Sequence, residues 1–472
     1  MIDRRGFLVG AAGLALRPWQ FLDAGPMVRV EQGTLLGRDE RGLRVFRGIP
    51  FARPPLRFRA PEPPAQWFGA RRGFDNAPAA MQSGQGDSED CLYLNIWAPK
   101  GEGPFPVYVW IHGGGNVGGG TNGQSGASFA RDGVIVVTVA YRLGAFGYLK
   151  LDDLLGREFA GSGANGIRDL IAALRWVQRN IAAFGGDPGS VTIGGQSAGA
   201  KNVAALIASP EAKGLFARAI MESGSGHTVH SPAQASDVTR ALLAALNLHE
   251  KDAGRLLSLS AKELLDGQHR LLDHYPHNYP FRPATGNSVL SKRPVDLVDN
   301  RIPLLIGTNR DEGLSFMDRS SVDRPVESRA ISNIPFSVVP ELEARYNRAF
   351  ASLSSLERRI RLISAEEYWM PSVRFAEAHS HRGGKTWMYR FDHANQEGHV
   401  MHGAELDFAW NHHEGWSMHE IWVDFMHGRE PSSWPQYDGR DRKTMIFGQD
   451  GGMSVTEDPR GDERRLWDGI LS

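Results

Sequence analysis

One cysteine, Cys91, stands in 472 residues. That excludes an internal disulfide and any zinc or iron–sulfur site built from cysteines. An excess of charge is missing too: 53 Lys+Arg face 54 Asp+Glu, a net charge of −1. Without a basic surplus the chain as a whole lacks the electrostatic footprint of a nucleic-acid binder. With 41% hydrophobic residues and almost no net charge, it is not an intrinsically disordered chain either. Long apolar runs are absent. The run from Phe7 to Leu16 is diluted by Gly10 and Gly13, and it falls well short of the roughly 20 residues that span a bilayer. No later segment is apolar enough for a membrane span. Glycine (55) and proline (27) are plentiful, as suits a loop-rich enzyme with a substantial core rather than a helical bundle.

Residues 1–25 read as a targeting segment. Asp3-Arg4-Arg5-Gly6-Phe7-Leu8 resembles a twin-arginine export signal, with Arg17 closing the short apolar run and a cut expected after Ala24. The product would be periplasmic or secreted. The competing reading is a disordered N-terminus on a cytoplasmic protein. Export of an already folded chain agrees with the lack of any disulfide.

From residue 26 onward short apolar runs alternate with helical stretches. Pro106–Ile111 and Val134–Ala140 are β-rich without polar alternation, as expected of strands buried on both faces. Residues 190–194, 216–221 and 303–307 read the same way. Between strands, residues 167–184 place Leu170, Leu174, Val177 and Ile181 at helical spacing. This alternation predicts an α/β fold, a mostly parallel sheet with helices on both faces. Residues 230–300 and 318–380 look mostly helical and are expected as cap insertions around the sheet's carboxyl edge. The absence of a Pro/Ser-rich linker predicts one catalytic domain over 26–472.

Gly195-Gln196-Ser197-Ala198-Gly199 fits G-x-S-x-G. The pattern is weak alone in a chain this rich in glycine, but a strand enters it and a helical run leaves it, the setting of a nucleophile elbow. There the serine sits on a strained turn, and side chains two positions away would collide. His112-Gly113-Gly114-Gly115 follows another strand, and such a loop can aim backbone N–H groups at a developing oxyanion. Gly113, Gly115 and Gly118 also spell the dinucleotide fingerprint. That reading needs a helix next and an acid ending the following strand; the chain instead gives Gly119-Gly120-Thr121-Asn122-Gly123 and then Tyr141-Arg142.

With these motifs in place, the chain resembles the type-B carboxylesterases, the α/β-hydrolase family that includes bacterial para-nitrobenzyl esterases and the cholinesterases. The resemblance runs from Phe46-Arg47-Gly48-Ile49-Pro50 through Glu89-Asp90-Cys91-Leu92, Phe184-Gly185-Gly186-Asp187-Pro188 and Gln196-Ser197-Ala198-Gly199. Asn309-Arg310-Asp311-Glu312-Gly313, His402-Gly403-Ala404-Glu405-Leu406 and Trp434-Pro435 follow in order. It implies a serine carboxylesterase with Ser197 as nucleophile, Glu312 as triad acid and His402 as general base. It further implies Gly114, Gly115 and Ala198 as oxyanion donors and Ser223 as a supporting serine near the acid. The chain order Ser, acid, His is independently that of an α/β-hydrolase. The implied partner is a small-molecule ester; no metal or organic cofactor is called for. Taken singly, Glu312 could be an ordinary first-turn acid and His402 a structural histidine. A second class of function is a non-catalytic binding or adhesion relative, disfavoured because all three residues are present.

The resemblance also marks Arg57 with Glu89, and Arg142 with Asp169, as scaffold ion pairs. His412-His413-Glu414 with His419 and His427 lacks H-E-x-x-H spacing and reads as a solvated rim rather than a metal site. Trp110, Trp176 and Trp422 read as core. Several departures bear on substrate. Met81 stands where cholinesterases place the cysteine that would pair with Cys91, and Gln196 replaces the glutamate usual before the serine. Both argue against cationic choline esters. Asn116, where a Phe often follows the glycines, Ala200 in place of a common Gly, and the shortened Pro54-Pro55-Leu56-Arg57 segment are expected to reshape the pocket entrance. The expected substrate is a neutral aliphatic or aryl ester of small to medium acyl chain.

Overall fold

The computed structural model describes residues 25–82, 86–321, 324–413 and 417–471. Apart from Gly25, the expected export signal lies outside the described residues, as does Glu414. In chain order the strands are β1 (Met27–Val30), β2 (Gly33–Leu36), β3 (Arg38–Glu40), β4 (Leu43–Pro50), β5 (Ala70–Arg72), β6 (Tyr93–Ala98) and β7 (Phe105–Ile111). They continue with β8 (Ile135–Val139), β9 (Gly186–Gln196), β10 (Arg218–Glu222), β11 (Leu304–Asn309), β12 (Thr386–Phe391), β13 (Thr444–Phe447) and β14 (Met453–Thr456). Strands β1, β2 and β5 make a small sheet, and the other eleven make one large sheet in the order β14-β13-β12-β11-β10-β9-β7-β8-β6-β4-β3. From β13 to β8 every neighbouring pair is parallel; the two flanks are antiparallel.

The unbroken apolar runs sit where the sheet is covered on both sides. Val107–Ile111 and Ile135–Val139 are buried throughout. One face packs on the helix Asn165–Asn180, whose Leu170, Leu174 and Val177 are buried as their spacing predicts, with Ile181 just beyond it. The other face packs on an aromatic core with Trp110, Trp387, Trp410 and Trp422, the last from the helix Ser417–Met426. Sheet and helices therefore match the layered α/β reading.

The cap segments carry most of their residues in helices, broken by irregular stretches. Helices cover Pro232–Ala245, Ala261–His274, Val339–Ala349, Ser355–Ser364 and Met370–His381. Residues 275–293 and 324–327 are irregular. Pro276, Pro280, Pro283 and Pro325 explain this, since proline removes a helix donor and clashes with the preceding turn. Three of the helices start in capping boxes, at Ser231, Ser260 and Ser354.

Arg142 grips Asp169 through Nε and Nη2 in a fully buried pair and donates Nη1 to the Arg59 carbonyl at 2.7 Å. Arg57 pairs with Glu89 and ties the chain to the Leu256 and Leu259 carbonyls. The rim reading of the histidines fails for His419. It is 4% exposed, its ring 4.5 Å from that of Phe129, and it bridges Asp132 Oδ2 (2.9 Å) and the Ala409 carbonyl (2.7 Å). The sequence gives no sign of this, because Asp132 is 287 residues away. His412 reaches only its neighbour Asp407 and is exposed.

Candidate active site

Five adjacent parallel strands end at one place. Past β7 comes Gly113-Gly114-Gly115; past β9, Ser197; past β10, Ser223; past β11, Glu312; and beyond β12 the chain returns with His402. The pairings Ile111↔Gly195 and Glu222↔Gln196 bring the ends of β7, β9 and β10 level.

Ser197 occupies the junction of β9 and the helix Ala198–Ala208 with φ +58 and ψ −124. A non-glycine residue there is strained. The strain is held by the Ser197 amide, which donates to the Glu222 carbonyl at 2.9 Å, and by the Lys201 amide, which donates to the Ser197 carbonyl at 3.1 Å. The flanking glycines are sterically required. A Cβ on Gly195 would lie 2.6 Å from the Gly199 carbonyl carbon, and one on Gly199 would lie 2.1 Å from the Ile111 oxygen.

The glycine loop lies against the serine, since a Cβ on Gly113 would come within 3.0 Å of Ser197 Cβ. Gly114 and Gly115 adopt φ +105 and +61. The Gly114 carbonyl is taken up by the Val117 and Gly118 amides, both at 3.0 Å, whereas the Gly114 and Gly115 amides have no acceptor among the described residues. With the Ala198 amide at the helix N-terminus, they are the donors the loop offers.

His402 and Glu312 are in direct contact through Nδ1 and Oε2. Glu312 is fully buried, and its other oxygen accepts the Asn309 amide at 2.8 Å. Burial pushes its carboxyl up to about 8, against the pull of the Asn309 amide and the Ser223 hydroxyl. Burial also draws His402 down to about 4, opposed by Glu405 and assisted by Lys201. The Ser223 hydroxyl is 3.4 Å from Glu405 Oε1 and also bears on the Glu312 carboxyl. No hydrogen bond joins Ser197 Oγ to His402 among the described residues. The Nε2 edge of His402 instead meets the amide nitrogen of Gln196 at 3.1 Å. With Nδ1–H directed at Glu312, Nε2 is the acceptor and the Gln196 amide the donor.

Four further residues form the site without having announced themselves in the sequence. Tyr368 and Phe316 flank His402, with ring centroids 4.6 and 5.0 Å away. Glu405, three residues past His402, is fully buried, binds Asn309 Nδ2, and is pushed up to about 7 by burial and by Glu312. Lys201, one helical turn beyond Ser197, pairs with Glu367 out of contact with solvent. Its ammonium sits 4.6 Å from the Tyr279 ring centre and 5.5 Å from that of Tyr368. Only Lys201's position four residues after the serine hinted at this role.

Asn116 does not shape the entrance. With φ +59 it turns into the core, where its oxygen accepts Tyr148 OH (3.2 Å) and Asn202 Nδ2 (3.1 Å) and its nitrogen donates to the Phe281 carbonyl (3.2 Å). The residue at the loop's outer side is Tyr279, whose ring lies 3.2 Å from a Cβ placed on Gly115. Among the described residues no cluster of three or more His, Cys, Asp or Glu side chains is arranged to hold a metal ion, and no helix is long and apolar enough to cross a membrane.

A strained serine, loop amides left without acceptors and an imidazole backed by a buried carboxylate are features that acyl transfer uses. Comparison with known proteins points the same way. Residues 24–456 match the model of the carboxylesterase family. The chain is 34% identical to the para-nitrobenzyl esterase of Bacillus subtilis over 93% of this chain and 98% of that one. It is 32% identical to the fumonisin B1 esterase of Sphingopyxis macrogoltabida, over 85% and 78%. Among solved structures, a carboxylesterase of Geobacillus stearothermophilus superposes with a TM-score of 0.83 at 35% identity, covering 93% of this chain and 99% of that one.

Proposed function

This chain belongs to the carboxylesterase family, an α/β-hydrolase that cleaves carboxylic esters, and we propose that it does so through Ser197, His402 and Glu312 by way of an acyl-enzyme. His402 Nε2 takes the Ser197 proton as Oγ attacks the ester carbonyl. Glu312 holds Nδ1–H and stabilises the imidazolium that forms. The carbonyl oxygen, now negative, is held by the Gly114, Gly115 and Ala198 amides, each such donor lowering the barrier by roughly 3–4 kcal/mol. The tetrahedral adduct collapses with the proton passing from His402 to the departing alcohol. Water, activated by the same imidazole, then releases the acid and regenerates Ser197.

The observation that carries this reading is the His402–Glu312 contact lying beside a serine held at φ +58. Neutral esters of small to medium acyl chain fit the surroundings: Gln196 is uncharged, Lys201 and Glu367 neutralise one another, and Phe316 and Tyr368 present aromatic faces. The test is hydrolysis of p-nitrophenyl esters from acetate to laurate by wild type and Ser197→Ala. Turnover peaking at short chains and lost in the variant is expected. A folded wild type that hydrolyses none of the series would overturn the proposal and favour a binding role.

The Arg4-Arg5 motif supports export by the twin-arginine route to the periplasm or medium. Replacing both arginines by lysine should retain the protein in the cytoplasm.

A further inference from the structure

Away from Ser197, a cleft of about 1120 Å³ opens between the helices Pro232–Ala245 and Ala261–His274 and the segments 275–282 and 331–335. Its wall carries three arginines and four histidines against a single carboxylate, Asp237. Asp237 is already paired with Arg240 at 2.8 Å, and Arg293 is matched by Asp296 at 3.0 Å. Two cations are left.

Arg282 is 6% exposed, yet no carboxylate lies within ion-pair distance of it among the described residues. Its guanidinium donates only to carbonyls: Tyr279 at 2.7 Å, Ser332 at 2.6 Å and Asn278 at 2.5 Å. A guanidinium has five N–H groups, so two stay available. The nearest acids do not neutralise it. Glu367 is paired with Lys201, and Glu366 is taken up by the Ser332, Asn333 and Ile334 amides, burial pushing it up to about 8. Arg270 lines the same cleft, exposed, with Nε on the Ala245 carbonyl at 2.8 Å. His230, 7% exposed on the same wall, donates Nε2–H to the Pro280 carbonyl and leaves Nδ1 buried without a partner. A buried, uncompensated guanidinium is costly unless an anion completes it. Ala241, Leu271 and Ile331 give the wall an apolar part, which suits a carbon skeleton rather than an inorganic ion. The volume is that of a small-molecule site.

We propose that this cleft binds small organic anions bearing two carboxylates on an aliphatic skeleton, with Arg270 and Arg282 holding the charges. The site is separate from the ester-cleaving centre and does not rest on it. Tyr279 joins the two places, its ring against Gly115 and its carbonyl on Arg282.

The test is calorimetric titration of the full chain at low ionic strength with adipate, with 1,6-hexanediol as its uncharged counterpart and with inorganic phosphate. Saturable one-site binding of adipate and none of the diol is expected. Arg270→Gln should weaken adipate about tenfold, since it removes a charge-assisted bond at an exposed position, whereas Arg175→Gln elsewhere on the surface should leave it unchanged. Absence of saturable adipate binding would overturn the proposal, as would unaltered affinity in Arg270→Gln or equal binding of the diol. Phosphate bound as tightly as adipate would overturn the role given to the aliphatic wall.

Discussion

The side-chain amide of Gln196 donates to Nε2 of His402 at 3.1 Å, the edge of the ring that must face Ser197 during the reaction. The amide holds the imidazole in the tautomer that puts its proton on the Glu312 side, and it must yield to the serine hydroxyl when substrate arrives. Its neutrality has a measurable consequence. In Gln196→Glu, an ionised carboxylate beside Nε2 favours the imidazolium and raises the His402 pKa. The free-base fraction at a given pH then falls, so the acid limb of kcat/KM should move up by about one pH unit or more. Profiles for both proteins between acid and neutral pH check this.

Glu312→Gln should separate activity from stability. The amide cannot stabilise the imidazolium, and kcat should fall by about 10²–10⁴-fold. Combined with Ser197→Ala, it should cost nothing further, because the groups act as a unit. The ionised form of Glu312 is disfavoured by burial, its carboxyl being raised to about 8. Near neutral pH the native state therefore gains from an uncharged side chain, and Tm should hold or rise. Melting curves beside initial rates decide the point.

Breaking the Lys201–Glu367 pair should hurt more than removing it. Lys201→Met strands the Glu367 carboxylate in the interior and should destabilise by about 3–5 kcal/mol. Lys201→Met with Glu367→Leu should recover most of that loss in urea titrations. Because Tyr368 adjoins Glu367 and rests on His402, the single variant should also lose turnover.

The two loop glycines should answer differently to alanine. At Gly114 the new Cβ meets the Gly118 carbonyl oxygen at 2.3 Å, backbone against backbone. The loop must re-form, with roughly 10²–10³-fold lost from kcat. At Gly115, where φ is +61, the Cβ comes closest to the Tyr279 ring, at 3.2 Å, with Val117 Cγ2 at 3.8 Å. The ring can move, so the loss should be smaller and should fall partly on KM. Steady-state kinetics of the two variants test the contrast.

The sheet and the elbow were legible because their signals are local. Val107–Ile111 announces a doubly buried strand by its lack of polar alternation, and the glycines around Ser197 announce a turn with no room for Cβ atoms. What was hidden depends on partners far along the chain. Gln196 meets His402 across 206 residues, and Lys201 meets Glu367 across 166. Asn116 turned inward for the same reason, drawn to Phe281, 165 residues on. In the cap, Pro276, Pro280 and Pro283 stop helices that the surrounding residues would otherwise continue.

The reacting groups stand in single file across the sheet, one at the tip of each of β7, β9, β10 and β11, with His402 following β12. Neighbouring strands are about 4.8 Å apart, so the backbone ladder acts as a ruler that meters the distances between them. Crossover connections hang off this ruler without setting its graduations. Segments such as 275–293 are thus free to lengthen, shorten or change shape with substrate, and related chains can diverge widely around the rim while keeping the spacing of the working atoms.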